Sequence, residues 1–452
     1  MPYAIDLFCG AGGCSEGLIQ SGFHILFSSD ISDMVEVTYK YRHAQLGLIQ
    51  GQNTWFERAD IRNLHGDFIN QKISELEIFR NKDVPEIDLM IGGPSCQGFS
   101  RAGRRDKEDP RNLLFGEYVR VISEVKPKYI VLENVEGFMD MQFLGYKGLN
   151  LYDEEGNLVE EGPVYPDGSV TPNILTAELN RIGYSTLEPR ILNAADYGVP
   201  QRRNRVIFIG YRNNLPAPSY PEPTVEVGHH LSLRDAIGDL VNNANIRNRV
   251  NQRLSDYQRD SRAGRTPSFV TGQPIPCDRR HLQNLELPNA TDVVLERFDL
   301  FNQGESCSML RKRIKEQGID ITGKNALIQH CCEKLNMQAD EVVNLFRNVN
   351  APNDAIDILL TKKNIRQRLD STEPSPTVVT LPDDYINPWE ARTISVREMA
   401  RCQSFDDSFE FLGKRTTGGL KRRVEVPQCT QVGNAVPPLL AKAVADEIMR
   451  VL

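Results

Sequence analysis

An α/β fold of the doubly wound type, with a second and smaller domain attached, is what this sequence predicts, on three observations. Over the first two hundred residues, strand-length apolar runs alternate with helix-like stretches: "YAIDLF", "HILFSSD", "IDLMIGG", "YIVLENV" and later "RVIFIGY". Strands that alternate with helices pair in parallel and are covered on both faces. The oddest loops of the chain follow those runs, at the carboxyl ends where such sheets bind ligands near the switch point. After "RVIFIGYRNN" the style changes: the proline-rich "LPAPSYPEPT" reads as a linker, and a polar, arginine-rich, irregular stretch follows to about Arg280. A length of 452 residues suits two domains.

Taken in order, "YAIDLF" runs into the turn "CGAGG" and then a helix, and "HILFSSD" ends on an acid, Asp30. "ERADI" places Asp60 at the end of a third strand, and "IDLMI" leads into "GGPSCQGFS" at residues 92–100. "YIVL" leads into Glu133 of "VLENVEG". Residues 140–173 carry turn chemistry, including "EGN" and "PDG", and read as an inserted loop bearing a hairpin. Residues 305–368 read as several helices, among them "NALIQHCCEKL" and "ADEVVNLFRNV". The chain closes on "VGNAVPPLLAKAVADEIMRVL", whose proline pair marks a helix entrance.

Composition excludes several classes. With 40% hydrophobic and 25% charged residues the chain has a core and is not globally disordered. The longest apolar runs are strand-length, short of the roughly 20 residues that span a bilayer, and no basic-then-apolar leader opens the chain. The expectation is a soluble cytoplasmic protein. Nine cysteines, scattered without paired spacing, fit reduced thiols better than a disulfide framework or a zinc cage, and no metal is expected. The net charge of -8 opposes phosphate binding, yet residues 245–281 hold eight arginines against three aspartates. Further basic clusters are "RKRIK", "KKNIRQR" and "KRTTGGLKRR", each by itself an ordinary solvated face.

The chemistry gathers at the loops. Glycines 10, 12 and 13 of "DLFCGAGGCSEGL" bring backbone N–H groups to a ligand at a helix start, a signal shared with many nucleotide sites and plain turns. Asp30 can accept both hydroxyls of a ribose, and Asp60 can accept from an exocyclic amine, although acids at strand ends also cap helices. Two acids behind a glycine turn point to an adenosine-containing cofactor. Most cysteines are small buried hydrophobes, but Cys96 sits on a glycine-flanked corner where a thiol can become a nucleophile. Glu133, placed after a buried run, needs a partner, and a cytosine-like edge would supply one if the acid or the ring is protonated, although an acid there can also be a helix cap. "QRRNR" precedes a strand whose alternation puts Arg203 and Arg205 on one face, and taken alone it reads equally well as a surface basic knot.

Together "DLFCGAGG", "GGPSCQGFS", "ENV", "QRRNRVIFIG", "RTISVREMARCQSF" and "QVGNAVPP", in this order and over nearly the whole chain, resemble the cytosine-5 DNA methyltransferases. The resemblance implies a Rossmann-like domain of residues 1–212 plus 424–452, with a 140–173 insertion, and a target-recognition domain of residues 213–423. It implies that Cys96 attacks C6 of a flipped-out cytosine, that Glu133 holds the N3 and amino edge, and that Arg205 bonds the O2 side while Arg203 supports the loop. S-adenosylmethionine would lie over Gly10, Gly12 and Gly13, with Asp30 on the ribose and Asp60 on the adenine amine. Phe8 and Leu114 would flank the adenine, Ile31, Ile61 and Pro94 would line it, and Asn434 with Ala435 would tie the last helix to the cofactor and the catalytic loop. Arg392 and Glu398 would be structural. The implied partner is double-stranded DNA, met by a monomer associated with the nucleoid, in a self-marking role such as restriction–modification.

Three departures stand out: Asp30 where the family more often has glutamate, Ala435 where serine is common, and the 140–173 insertion. The competing readings are a transfer-RNA methyltransferase on the same scaffold, whose "CFT" tripeptide is absent, and a catalytically silent DNA-binding protein.

Overall fold

The computed structural model describes residues 1–94, 113–153, 156–362, 365–381, 384–417, 419, 421 and 424–452. Strands β1 (Tyr3–Leu7), β2 (His24–Asp30), β3 (Trp55–Arg58), β4 (Leu89–Gly92) and β5 (Tyr129–Asn134) form a parallel sheet in the order β5-β4-β1-β2-β3. The order reverses at β1, so the crevice of the switch point opens between the ends of β1 and β4. In β1, β4 and β5 period-2 alternation divides the strand between two cores: Ile5, Leu7, Met90, Ile130 and Leu132 face one, Ala4, Leu89, Ile91, Tyr129 and Val131 the other. Each large apolar side chain buried this way contributes about 1.5–3 kcal/mol.

Helices α1 (Gly13–Gln20), α2 (Asp33–Gln45), α3 (Gly66–Ser74), α4 (Leu114–Val125) and α5 (Thr171–Arg181) cover the two faces. Between β5 and α5 the expected hairpin-bearing insertion is a nested ribbon: β6 (Gln142–Phe143) pairs β9 (Ser169–Val170) around β7 (Leu151–Tyr152) and β8 (Leu158–Glu160). Its root is fixed, because the Leu149 N–H and the Tyr165 hydroxyl both donate to the buried Glu178 carboxylate, at 2.7 and 2.6 Å. The Tyr146 ring stacks on Phe115 of α4 with centroids 5.3 Å apart.

Three more strands complete the sheet: β10 (Tyr184–Thr186), β11 (Arg190–Asn193) and β12 (Asn204–Arg212). Two of them, β10 and β11, are too short and polar to stand out in the sequence. The alternating-strand reading places "RVIFIGY" in the parallel sheet, and the structure corrects this. β12 runs antiparallel to β5, because it is reached from its antiparallel partner β11 through residues 194–203, with the single 3-10 turn Ala194–Tyr197, rather than through a long helical crossover. The proline-rich stretch is also not a free linker: Tyr220 is buried with its hydroxyl donating to the Ile207 carbonyl, and Ser219 donates to Glu447.

Beyond it, α6 (Leu233–Ile237), α7 (Ala244–Val250) and α8 (Asp256–Ala263) precede a bundle of α9 (Asp292–Phe298), α10 (Cys307–Gln317), α11 (Asn325–Leu335), α12 (Ala339–Arg347) and α13 (Asn353–Leu360). The bundle has a core of its own, with Phe298, Leu310, Leu327, Phe346 and Leu359. Then come α14 (Val396–Cys402), α15 (Gln428–Asn434) and α16 (Pro438–Met449). A third core joins Ala11 of the glycine turn to Leu233, Tyr257, Met399, Phe405 and Val432, so apolar packing continues from the first region into the second. α16 returns to the sheet and lies on α1, where a Cβ on Gly17 would stand 2.6 Å from both Ala441 Cβ and the Pro438 carbonyl oxygen. Among the described residues no helix is long and apolar enough to cross a membrane.

Candidate active site

Register sets the site. Leu7 lies opposite Ser29 and Gly92, Gly92 lies opposite Leu132, and Glu133 lies opposite Ile207. The carboxyl ends of β1, β2, β4 and β5 and the start of antiparallel β12 therefore share one edge. Phe8, Gly10 and Gly12 all take positive φ (57°, 51° and 101°), which makes the turn between β1 and α1 unusually tight and strains Phe8. Among the described residues nothing approaches within 4 Å of the place a Gly10 Cβ would occupy, so the turn is open to them there.

Asp30 closes the turn. Its carboxylate accepts from Gly10 N at 3.1 Å and Ser32 N at 2.9 Å. Burial raises its pKa despite those two bonds. Next to it Ile31 is 66% exposed. An acid, an exposed branched apolar side chain and an open glycine turn on one edge suit the sugar and base of a nucleoside. Beneath the turn Asp6 is buried, accepting from Ser15 Oγ at 2.6 Å, and Tyr39 OH lies 2.6 Å from the same hydroxyl. Burial pushes the Asp6 carboxyl up to about 7. Asp60 caps the turn Ile61–Asn63 and pairs with Arg62, whose hydrogen bonds hold its carboxyl low. Its position at a strand end and its capping role are both as anticipated, while Ile61 beside it is buried.

The other half of the edge carries Glu133 and Arg205. Arg205 Nε lies 2.7 Å from Glu133 Oε1, both side chains 12% exposed. Glu133 Oε2 would be 3.2 Å from a Cβ on Gly93, which places the carboxylate under the loop leaving β4. Asn134 Nδ2 donates to the buried Pro94 carbonyl at 3.1 Å, tying β5 to the same loop. Cys96 lies outside the described residues, as do residues 109–112 ahead of Leu114, which is half-buried at the start of α4. A cavity of about 230 Å³ adjoins the pair, lined by Val135, Gly137, Asn204, Arg205 and Thr377 among others.

Arg203 does not share Arg205's surroundings. It precedes β12, is buried, and donates to the Gly433 carbonyl at 2.9 Å and the Val378 carbonyl at 3.3 Å. The expectation that strand alternation sets both arginines on one face thus stops at Asn204, where the strand begins. Gly433 belongs to α15, whose last residue, Asn434, is exposed while Ala435 is buried. Val436 O would be only 2.1 Å from a Cβ on Gly13, so this segment lies directly on the glycine turn. Arg392 grips Glu398 with two bonds of 2.8 Å, and Glu398 completes a capping box with Ser395 at the start of α14.

Sequence reasoning missed two buried sets. One is the Gln201–Gln403 pair described below; the other is Glu16, held by Arg42 at 2.8 and 2.9 Å and by Thr266 of the second region. The available signal was a charged or amide side chain inside an otherwise apolar pattern. Of the eight arginines in residues 245–281, Arg262 pairs with Asp239, Arg265 lies over the Tyr257 ring, and Arg247 donates to the Val241 carbonyl. Arg249, Arg253, Arg259 and Arg280 are exposed. The eight described cysteines are all free, six of them buried, and burial raises the thiols of Cys9 and Cys14 well above their ordinary range.

Comparison with known proteins fits this arrangement. The chain is 29% identical to the type II methyltransferase M.DdeI of Desulfomicrobium norvegicum, over 98% of this chain and 88% of that protein. It is 30% identical to the type II methyltransferase M.XorII of Xanthomonas oryzae pv. oryzae, over 100% of this chain and 85% of that one. Among solved structures, an Escherichia coli prophage protein assigned as a DNA modification methyltransferase shares the fold, with a TM-score of 0.62 and 20% identity over 100% of this chain and 99% of that chain. The family model for C-5 cytosine-specific DNA methylase matches residues 3–147 and 161–450, passing over only the tip of the inserted ribbon and the chain's extremities. With nearly all of its length inside that model, the chain belongs to the C-5 cytosine-specific DNA methylase family.

Proposed function

We propose that this enzyme transfers a methyl group from S-adenosylmethionine to C5 of a cytosine flipped out of duplex DNA, through a covalent adduct between Cys96 and C6. The observation that carries the reading is the Glu133–Arg205 pair at 2.7 Å, set on the same edge as Asp30 and the open glycine turn. Cytosine C5 is a poor nucleophile. Addition of the Cys96 thiolate to C6 moves electron density onto C5 and N3, and a carboxyl at N3 favours that step by sharing a proton there. Glu133 takes that role and also accepts from the exocyclic amine. Arg205 holds the Glu133 carboxyl in place and offers N–H groups to O2, and Arg203 positions the strand start by anchoring it to Gly433 and Val378. Once C5 carries the methyl group, transfer of the C5 proton to a base expels the Cys96 thiolate and restores the ring.

Asp30, Ile31 and the turn of Gly10, Gly12 and Gly13 would hold the ribose and base of the cofactor, with Phe8, Asp60, Ile61, Pro94, Leu114, Asn434 and Ala435 around it. When bound, S-adenosylmethionine supplies an electrophilic methyl group. Duplex DNA lies across the second region, its phosphates met by the exposed Arg249, Arg253, Arg259 and Arg280. The enzyme acts as a monomer in the cytoplasm, marking its own DNA as part of a restriction–modification system.

Purified protein given labelled S-adenosylmethionine and mixed-sequence duplex DNA should yield 5-methylcytosine, and Cys96→Ser should abolish it. DNA containing 5-fluorocytosine should trap an adduct on Cys96, because fluorine cannot leave as the C5 proton does. Label found only in RNA, or only on an exocyclic nitrogen, would refute the proposal.

A further inference from the structure

Gln201 and Gln403 are both fully buried, far apart in sequence, and joined side chain to side chain. Gln201 Nε2 donates to Gln403 Oε1 at 2.7 Å and to the Cys402 carbonyl at 3.2 Å, while Gln201 Oε1 accepts from Val378 N at 2.7 Å. Gln403 Nε2 donates to the Val432 carbonyl at 2.7 Å and the Ala435 carbonyl at 3.2 Å. The orientation of each amide is determined by its partners, since turning Gln201 over would set its NH2 against the Val378 N–H. Both oxygens and all four N–H groups therefore have partners, and loss of any link leaves a buried polar group unpaired.

The two ends of this ladder touch different parts of the molecule. At one end Val378 belongs to a segment whose Ser375 exchanges backbone bonds with Pro200 and Arg202, at 2.9 and 2.8 Å, leading back into the second region. At the other end Val432 and Ala435 flank Gly433 and Asn434, and Val436 presses on Gly13 of the glycine turn. We propose that Gln201 and Gln403 are positioning residues that couple the two binding events: DNA seated on the second region steadies residues 375–378, the ladder holds residues 432–436 against Gly13, and cofactor binding tightens. This rests on the S-adenosylmethionine and DNA reading given above. Coupling of this kind is reciprocal, so cofactor tightens DNA by the same factor.

The test uses S-adenosylhomocysteine, which permits no turnover, and measures its Kd with and without saturating mixed-sequence duplex DNA. For the wild type the DNA should tighten it by roughly 5–150-fold. Gln403→Met fills the same space without hydrogen bonds, and Gln403→Glu keeps the acceptor toward Gln201 but loses the donors to Val432 and Ala435. Both should bring the ratio to about one, while each ligand alone still binds. A purely structural role would lower the melting temperature and leave the ratio at its wild-type value, and that result overturns the inference, as does a wild-type ratio of one. If Gln403→Met does not fold, Gln403→Glu decides the matter alone. Wild-type protein that binds neither ligand sinks the functional reading itself.

Discussion

Arg205 Nε stands 2.7 Å from Glu133 Oε1 across the antiparallel β5–β12 junction, so the carboxylate already has its counter-charge before any substrate arrives. The pair is largely shielded from solvent, and Glu133 Oε2 would stand 3.2 Å from a Cβ on Gly93, just past the end of β4. Glu133→Gln keeps the shape but cannot share a proton at N3. It is expected to lower kcat by about 10²–10⁴, with melting temperature little changed. Steady-state methylation of duplex DNA measures this, and activity equal to wild type would remove Glu133 from the chemistry.

Two glycines three residues apart should behave differently when replaced by alanine. At Gly10 the added methyl meets none of the described residues and the cost is the positive φ of 51°, about 1–2 kcal/mol. At Gly13 the methyl meets the Val436 carbonyl oxygen at 2.1 Å, and neither backbone can move without shifting α16. Gly13→Ala should therefore cost more stability and weaken cofactor binding by at least about tenfold, equivalent to 1.4 kcal/mol. Calorimetric titration of both variants with S-adenosylhomocysteine gives the comparison.

The buried Asp6 carboxyl predicts a pH dependence of stability. Its pKa is about 7 in the folded protein against 3.8 for an unperturbed aspartate, with burial the largest cause. Below the unfolded value both states are protonated and nothing is lost. Between there and pH 7 the unfolded chain releases a proton that the folded one keeps, so this group's contribution to stability falls as pH rises through the window. Asp6→Asn removes that titration. Relative to wild type it should gain up to a few kcal/mol between pH 4 and pH 8, read from urea unfolding at a series of pH values. A difference independent of pH would rule the titration out.

Glu16 and Arg42 form a buried bidentate pair, and Asp406 lies 3.6 Å from the same guanidinium. Because Thr266 and Asp406 come from the second region, the network spans the two regions. Glu16→Gln removes the bidentate partner and leaves Arg42 only Asp406 as counter-charge in a dry site, and should cost about 1–3 kcal/mol. Replacing Arg42 by Met in the same chain should recover part of that loss. A double-mutant cycle by chemical denaturation measures the coupling, and additive losses would contradict it.

The inserted ribbon should be dispensable for the chemistry. The family model passes over residues 148–160, and the insertion as a whole, residues 140–173, holds seven acidic residues against one lysine. Such a surface repels phosphates. Replacing residues 151–160 by a short glycine linker leaves Tyr165, Glu178 and Arg181 to close the root, and surface loops tolerate such changes in length. Methylation rate and its salt dependence should stay at wild-type values, and a collapse of either would give the ribbon a role in DNA binding.

What the sequence determined by itself is the local chemistry: which runs are buried strands, which loops follow them, and which motifs place the chain in its family. The order of "DLFCGAGG", "ENV" and "QVGNAVPP" survives in one dimension because each motif stands at the end of a strand or helix that the local pattern already marks. Tertiary structure decided the rest. The direction of β12 depends on a hairpin with β11, whose four residues carry no strong strand signal, and the seating of Tyr220 depends on a carbonyl of Ile207 that no local pattern announces. Arg203 and Arg205 are near neighbours in sequence yet meet partners on different elements, Gly433 and Glu133. Asp6 looks like an ordinary strand-end acid until the sheet removes its water. The division follows from the range of the forces: strand alternation, turns and caps act within a few residues, whereas the desolvation of a carboxyl and the pairing of two buried glutamines 202 residues apart exist only after the chain has closed around them.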